Sequence, residues 1–203
     1  MQLLFKVKPI EVKRAFSIAQ KMRSLRRRGT RYLPKLEREE FLKKLKQAKK
    51  TIMKFSEKQL DKFIGEEYEK RLVSYNNVEW YRGAVSTREV GVWRRAGGLP
   101  ASWTCCSLVK TAHYVRQGLE KNDKRIRARS KRAISSIIEH TNIISKEKYL
   151  FPIVFYSGGG TRGRKRCRKY KEIEWDVDDG CMRAIALAIT GYKFINVYFG
   201  KPK

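Results

Sequence analysis

Residues 150–200 read LFPIVFYSGGGTRGRKRCRKYKEIEWDVDDGCMRAIALAITGYKFINVYFG and carry the clearest structural grammar in the chain. The apolar run at 150–156 predicts a buried strand, and the glycine-rich basic stretch SGGGTRGRKRCRK predicts a loop. YKEIEWDV then alternates through Ile173, Trp175 and Val177, the period of a half-buried strand. Asp178-Asp179-Gly180 marks a turn. CMRAIALAIT follows as a short helix closed by Gly191, and KFINVYFG as a last strand. Strand, strand, helix and strand in that order mix α and β structure within one stretch.

Upstream, helical spacing recurs. Residues 126–140 turn Ala133, Ile134, Ile137 and Ile138 inward, and residues 105–119 do the same with Leu108, Val109, Ala112 and Val115. Between Val78 and Thr104 the pattern breaks: Gly83, Gly91, Gly97, Gly98 and Pro100 punctuate a stretch holding Trp80, Trp93 and Trp103. That stretch predicts irregular loops with one short strand, its tryptophans mainly in the core. Stacking of Trp80, Tyr81, Trp93 and Trp103 on unpaired bases is the functional alternative.

At the start of the chain, LLFKVKPI predicts a short strand ended by Pro9, and Gly29 a turn between helices. Pro34 suits a first helical turn ahead of Leu36, Phe41, Leu42, Leu45 and Ala48. Ser56 and Gln59 form a capping-box pattern before Leu60, Phe63, Ile64, Tyr68 and Leu72. The expected division is a basic helical N-terminal module, residues 1–75, laid against an α/β domain, residues 76–203.

The 203 residues hold 48 Lys plus Arg against 20 Asp plus Glu, a net charge of +28. With 41% hydrophobic residues the chain is too apolar for a disordered basic tail. Residues 1–54 carry +14 of the excess, and the rest divides equally between 55–147 and 148–203. Three clusters stand out. The first is Arg23, Arg26, Arg27, Arg28 and Arg31; the second contains Lys124, Arg125, Arg127 and Arg129; the third contains Arg162, Arg164, Lys165, Arg166 and Arg168. Such a surface calls for a polyanion, and nucleic acid is the commonest. DNA is expected ahead of RNA, and a homo-oligomer is compatible with the same surface. No 18-residue apolar run is present, so no membrane partner is expected. The opening residues reach Lys6 and Lys8 before a signal-peptide core accumulates. Cys105, Cys106, Cys167 and Cys181 lack paired metal-site spacing, so no metal is expected and thiols in a reducing compartment are the reading.

Asp178-Asp179-Gly180 followed by a helix opening Cys181-Met182-Arg183 suits a phosphate: the glycine permits close approach, the first helical amides point outward, and Arg183 adds a charge. An ordinary tight turn with a solvated arginine is the structural alternative. The string RAISSIIEH…YLFPIVFYSGG…YKEIEWDVDDGCMRAIALAITGYKFINVYFG, spanning roughly residues 126–200, resembles the ParB/sulfiredoxin superfamily. It carries Pro152-Ile153, the G-x-x-R-x-x-A helix from Gly180 to Ala186, Gly191 and the closing strand Ile195–Tyr198. The resemblance implies an α/β (α+β) fold built on a small mixed sheet with helices, whose turn of Gly180, Cys181, Met182 and Arg183 binds the phosphates of CTP or ATP with Mg2+. Cys181 falls at the reactive position of sulfiredoxins, where Met182 replaces their histidine. In ParB-like proteins the same domain serves a DNA-bound clamp, and a third branch resembles free-serine kinases.

Asp176-Val177-Asp178 more faintly resembles the D-x-D pair with which RusA-type resolvases hold magnesium. The leading expectation is therefore a nucleic-acid-binding protein with a nucleotide-binding turn. The alternatives are an ATP-dependent enzyme of the same superfamily, with Cys181, Asp178 and Asp179 as catalytic candidates, a structural protein of a nucleoprotein particle, and a RusA-like nuclease. A location in the cytoplasm, on the nucleoid or within such a particle goes with these.

Overall fold

The computed structural model describes residues 2–27, 38–121, 124, 126, 128–144, 150–156, 173 and 175–203. In chain order they form β1 (Gln2–Val7), α1 (Pro9–Arg27), α2 (Arg38–Ile52), α3 (Glu57–Asn76), β2 (Val78–Ser86), β3 (Val90–Val92), β4 (Cys106–Ser107), α4 (Leu108–Glu120), α5 (Ala128–Ile144), β5 (Ile153–Tyr156), β6 (Trp175–Asp179), α6 (Cys181–Ile189) and β7 (Phe194–Pro202). The strands make one mixed sheet in the order β1-β2-β7-β5-β6-β3-β4. The fold is thus mixed α+β, as the C-terminal stretch predicts. β5 runs antiparallel to β6 and parallel to β7, with α6 making the connection from β6 to β7.

Alternation along the strands sends side chains to two separate cores. Val154, Val177, Val197 and Phe199 face α4, α5 and α6. Ile153, Phe155, Val78, Trp80 and Val7 face α1 and α3. α2 packs outside α1, with Phe41, Leu45, Ala48 and Ile52 against Ile18 and Met22. The first 75 residues therefore share both sheet and core with the remainder: β1 pairs with β2, and α1 and α3 cover β5. The capping box of α3 is formed, the Ser56 amide donating to Gln59 Oε1 at 2.8 Å and the Gln59 amide to Ser56 Oγ at 3.3 Å.

Three details differ from expectation. Residues 78–86 form a nine-residue strand between β1 and β7, not irregular loop. Apolar residues buried on both faces, Val78 and Trp80 on one and Val85 on the other, erase the simple alternation that reveals a surface strand. Val109 and Ile138, expected inside, lie on the outer faces of α4 and α5. Cys105 is disulfide-bonded, whereas Cys106 is a half-buried thiol with Sγ 3.3 Å from Thr111 Oγ1. Spacing alone does not reveal which cysteines a fold brings together. Pro34, Leu36 and the loop 157–169 lie outside the described residues.

Candidate phosphate site at the β6–α6 turn

β6 ends in Asp178 and Asp179, and the chain turns into α6 at Gly180 with φ +85°. Glycine adopts that conformation at little cost. A Cβ there would also fall 2.5 Å from Arg183 Nη2 and 2.8 Å from its Nε, because the guanidinium lies directly over the turn. Gly180 brings no capping side chain, and backbone bonding of α6 begins with the Ala184 amide donating to the Gly180 carbonyl at 2.9 Å. The amides of Cys181, Met182 and Arg183 thus form an uncapped first turn carrying the positive end of the helix dipole.

Around the turn is a buried ionic cluster. Arg183 Nη2 donates to Asp179 Oδ2 at 2.8 Å. Asp178 faces α3: Arg71 Nε lies 2.8 Å from its Oδ2, an ion pair without hydrogen-bond alignment. Arg71 Nη2 donates to the Asp178 carbonyl at 3.1 Å, and the Tyr75 hydroxyl donates to Oδ2 at 3.2 Å. Gln20 Nε2 reaches Asp179 Oδ1 at 3.4 Å, and the Tyr68 hydroxyl donates to Gln20 Oε1 at 3.0 Å. The Arg71 guanidinium stands 4.7 Å from the Phe16 ring centroid. Burial opposes its charge, but Asp178, Tyr75 and Asp179 outweigh that and hold it above its ordinary value. Burial, reinforced by Asp178, pushes the Tyr75 hydroxyl well up. Burial and then Glu67 lift the Tyr68 hydroxyl, while Arg23 and Arg71 pull it down.

Arg71, Tyr75, Gln20 and Tyr68 are the residues that sequence reasoning missed. Their one signal is an arginine on a buried stripe, since the inward positions of α3 run Leu60, Ile64, Arg71 and Tyr75.

The remaining sequence-predicted residues divide clearly. Cys181 is 8% exposed, and its Sγ is directed at the Val177 carbonyl, 3.6 Å away. Met182 packs over Gly97, where an added Cβ would fall 2.9 Å from Met182 Cε and 3.3 Å from Ala133 Cβ. That contact brings the exposed Arg94 and Arg95 to the α6 side of the sheet. Ser130 Oγ donates to the Gly98 carbonyl at 2.9 Å, which ties α5, with its exposed Lys131 and Arg132, to the same corner. Arg23 is exposed near Tyr68, and Lys124 is exposed ahead of α5. Arg26 and Arg27 fall in α1 and Arg129 in α5, with side chains outside the described set. Arg28, Arg31, Arg125, Arg127, Arg162, Arg164, Lys165, Arg166 and Arg168 lie outside the described residues.

Chemically, the donor set suits an anion: first-turn amides without a side-chain cap, with Arg183 alongside. Both carboxylates of the turn are engaged by guanidinium groups, and among the described residues no group of three His, Cys, Asp or Glu is placed to hold a metal ion. Among the described residues no helix is long and apolar enough to cross a membrane. No protein-family model, curated protein or solved structure matches the chain.

Proposed function

We propose that the protein binds nucleic acid, DNA ahead of RNA, through phosphate contacts, and that its Gly180–Arg183 turn is a nucleotide- or phosphate-binding element of ParB/sulfiredoxin type. The observation that carries the reading is the charge, 48 basic against 20 acidic residues, on a chain with its own folded cores. Neutralised phosphates release counterions, and that term supplies most sequence-independent affinity. The turn adds its uncapped helix and Arg183. The order β5, β6, α6, β7, with Gly191 at φ +92° after the helix, matches what the resemblance implies and supports the same reading. If CTP or ATP binds, the first-turn amides of α6 and Arg183 receive its phosphates. Asp179 keeps the guanidinium over the turn, and Arg71 with Tyr75 fixes the strand end that precedes it.

The test is a binding screen of CTP and ATP with Mg2+, each with and without duplex DNA, on the full chain and its Arg183→Ala variant. Duplex binding that survives Arg183→Ala, with nucleotide binding lost, supports both parts. Duplex binding with no nucleotide bound by either protein removes the turn from the reading. No duplex binding at low salt removes the reading itself.

A further inference from the structure

The sheet face covered by α1 and α3 continues past those helices and carries a second arrangement with a use of its own. Val7 and Trp80 lie beneath the helices. Two residues away along each strand, and so on the same face, stand Phe5 and Arg82. Cross-strand pairing sets Phe5 opposite Arg82, Arg82 opposite Tyr198, Ala84 opposite Asn196 and Ser86 opposite Phe194. Phe151, just before β5, completes the row. Arg82 Cζ lies 4.3 Å from the Phe151 ring centroid and 5.8 Å from that of Phe5, and Phe151 meets Tyr198 edge-on at 5.7 Å. Phe5 is 50% exposed and Phe194 62% exposed.

Rings on an open sheet are costly unless they have a partner. Here a guanidinium, that of Arg82, lies among them, and the chain just outside the paired strands carries exposed Lys8, Arg88 and Lys193. Burial, reinforced by Glu11 in the first turn of α1, raises the Tyr198 hydroxyl above its ordinary value, while Arg82 pulls it down. Flat aromatic faces with interleaved positive charge are what unpaired bases and their phosphates require, whereas a duplex offers no exposed base faces. Ile153 pairs with Tyr198 on one side and with Asp179 on the other, so the rings and the Gly180 turn share one end of the sheet.

We infer that this face is a stacking platform for single-stranded nucleic acid, with bases on Phe5, Tyr198 and Phe194 and backbone phosphates along Arg82. The inference rests on the nucleic-acid reading but not on the turn at Gly180. Its test titrates the full chain with labelled oligothymidylate, with an abasic strand of the same length and charge, and with a duplex. Oligothymidylate should bind about tenfold or more tighter than the abasic strand. The Phe5→Ala/Phe194→Ala variant, with native circular dichroism, should lose that advantage and keep its affinity for the abasic strand. Equal binding of the two strands, or an unchanged preference in the variant, overturns the platform while duplex binding leaves the parent reading standing. Failure to bind any of the three overturns both.

Discussion

Asp178→Asn isolates the contact that fixes the strand end before the Gly180 turn. The amide preserves shape and removes the charge facing Arg71, in a pair whose side chains are 5% and 2% exposed. Removing one partner of a buried ion pair costs about 3–5 kcal/mol, chiefly because the other charge stays buried. Two contacts survive and put the expected cost at the lower end. Arg71 Nη2 keeps its bond to the residue 178 carbonyl, at 3.1 Å in the native protein. The Phe16 ring face at 4.7 Å continues to stabilise the guanidinium, a contact contributing about 0.5–2 kcal/mol. The expected loss is about 3 kcal/mol in urea denaturation at neutral pH. Arg71→Met destabilises by leaving Asp178 buried, and the double variant Arg71→Met/Asp178→Asn should be more stable than the sum of the singles predicts, by about 2 kcal/mol. A loss below about 1 kcal/mol for Asp178→Asn, or strict additivity in the cycle, would refute the assignment of the pair as a buried clamp.

Gly118→Ala should destabilise by about 1–3 kcal/mol despite alanine's better helix propensity, because its Cβ would run into the buried Trp103 ring. Displaced Trp103 emission would accompany the loss in a fluorescence-monitored melt. Gly180→Ala should cost about 1–2 kcal/mol in the left-handed conformation and push the guanidinium off Asp179, which chemical denaturation and a nucleotide titration read separately. The Tyr75 hydroxyl is held well above its ordinary value, so its contribution is complete below that value and lost as pH rises past it. The unfolded chain ionises there while the folded protein stays protonated; Tm should therefore fall more steeply above about pH 10 in the native protein than in Tyr75→Phe. Burial also raises the Cys106 thiol, so its alkylation by iodoacetamide, followed by peptide mass spectrometry, should rise with pH later than that of a solvent thiol.

What the sequence made legible follows from how each element is exposed. α3 announces itself through Ser56 and Gln59, and β6 through apolar Trp175 and Val177 on one face alternating with Asp176 and Asp178 on the other. β2 does not, since both its faces are buried in part and Trp80 occupies space made by Gly200 on the paired strand, whose added Cβ would lie 3.1 Å from the ring. The Gly180–Arg183 turn was readable because all of it is local. Its supports were not: Arg71 and Asp178 are 107 residues apart and meet only when α3 docks on the sheet. The ring platform was hidden for the same reason, as Phe5, Arg82, Phe151 and Tyr198 come from four separate segments.

Whether the surface charge grips nucleic-acid phosphates is decided by duplex DNA affinity measured across a salt series. Log K should fall linearly with log salt, each neutralised phosphate contributing about 0.9 to the slope. A slope corresponding to several phosphates is expected. No binding at low salt, or an affinity indifferent to salt, would contradict it.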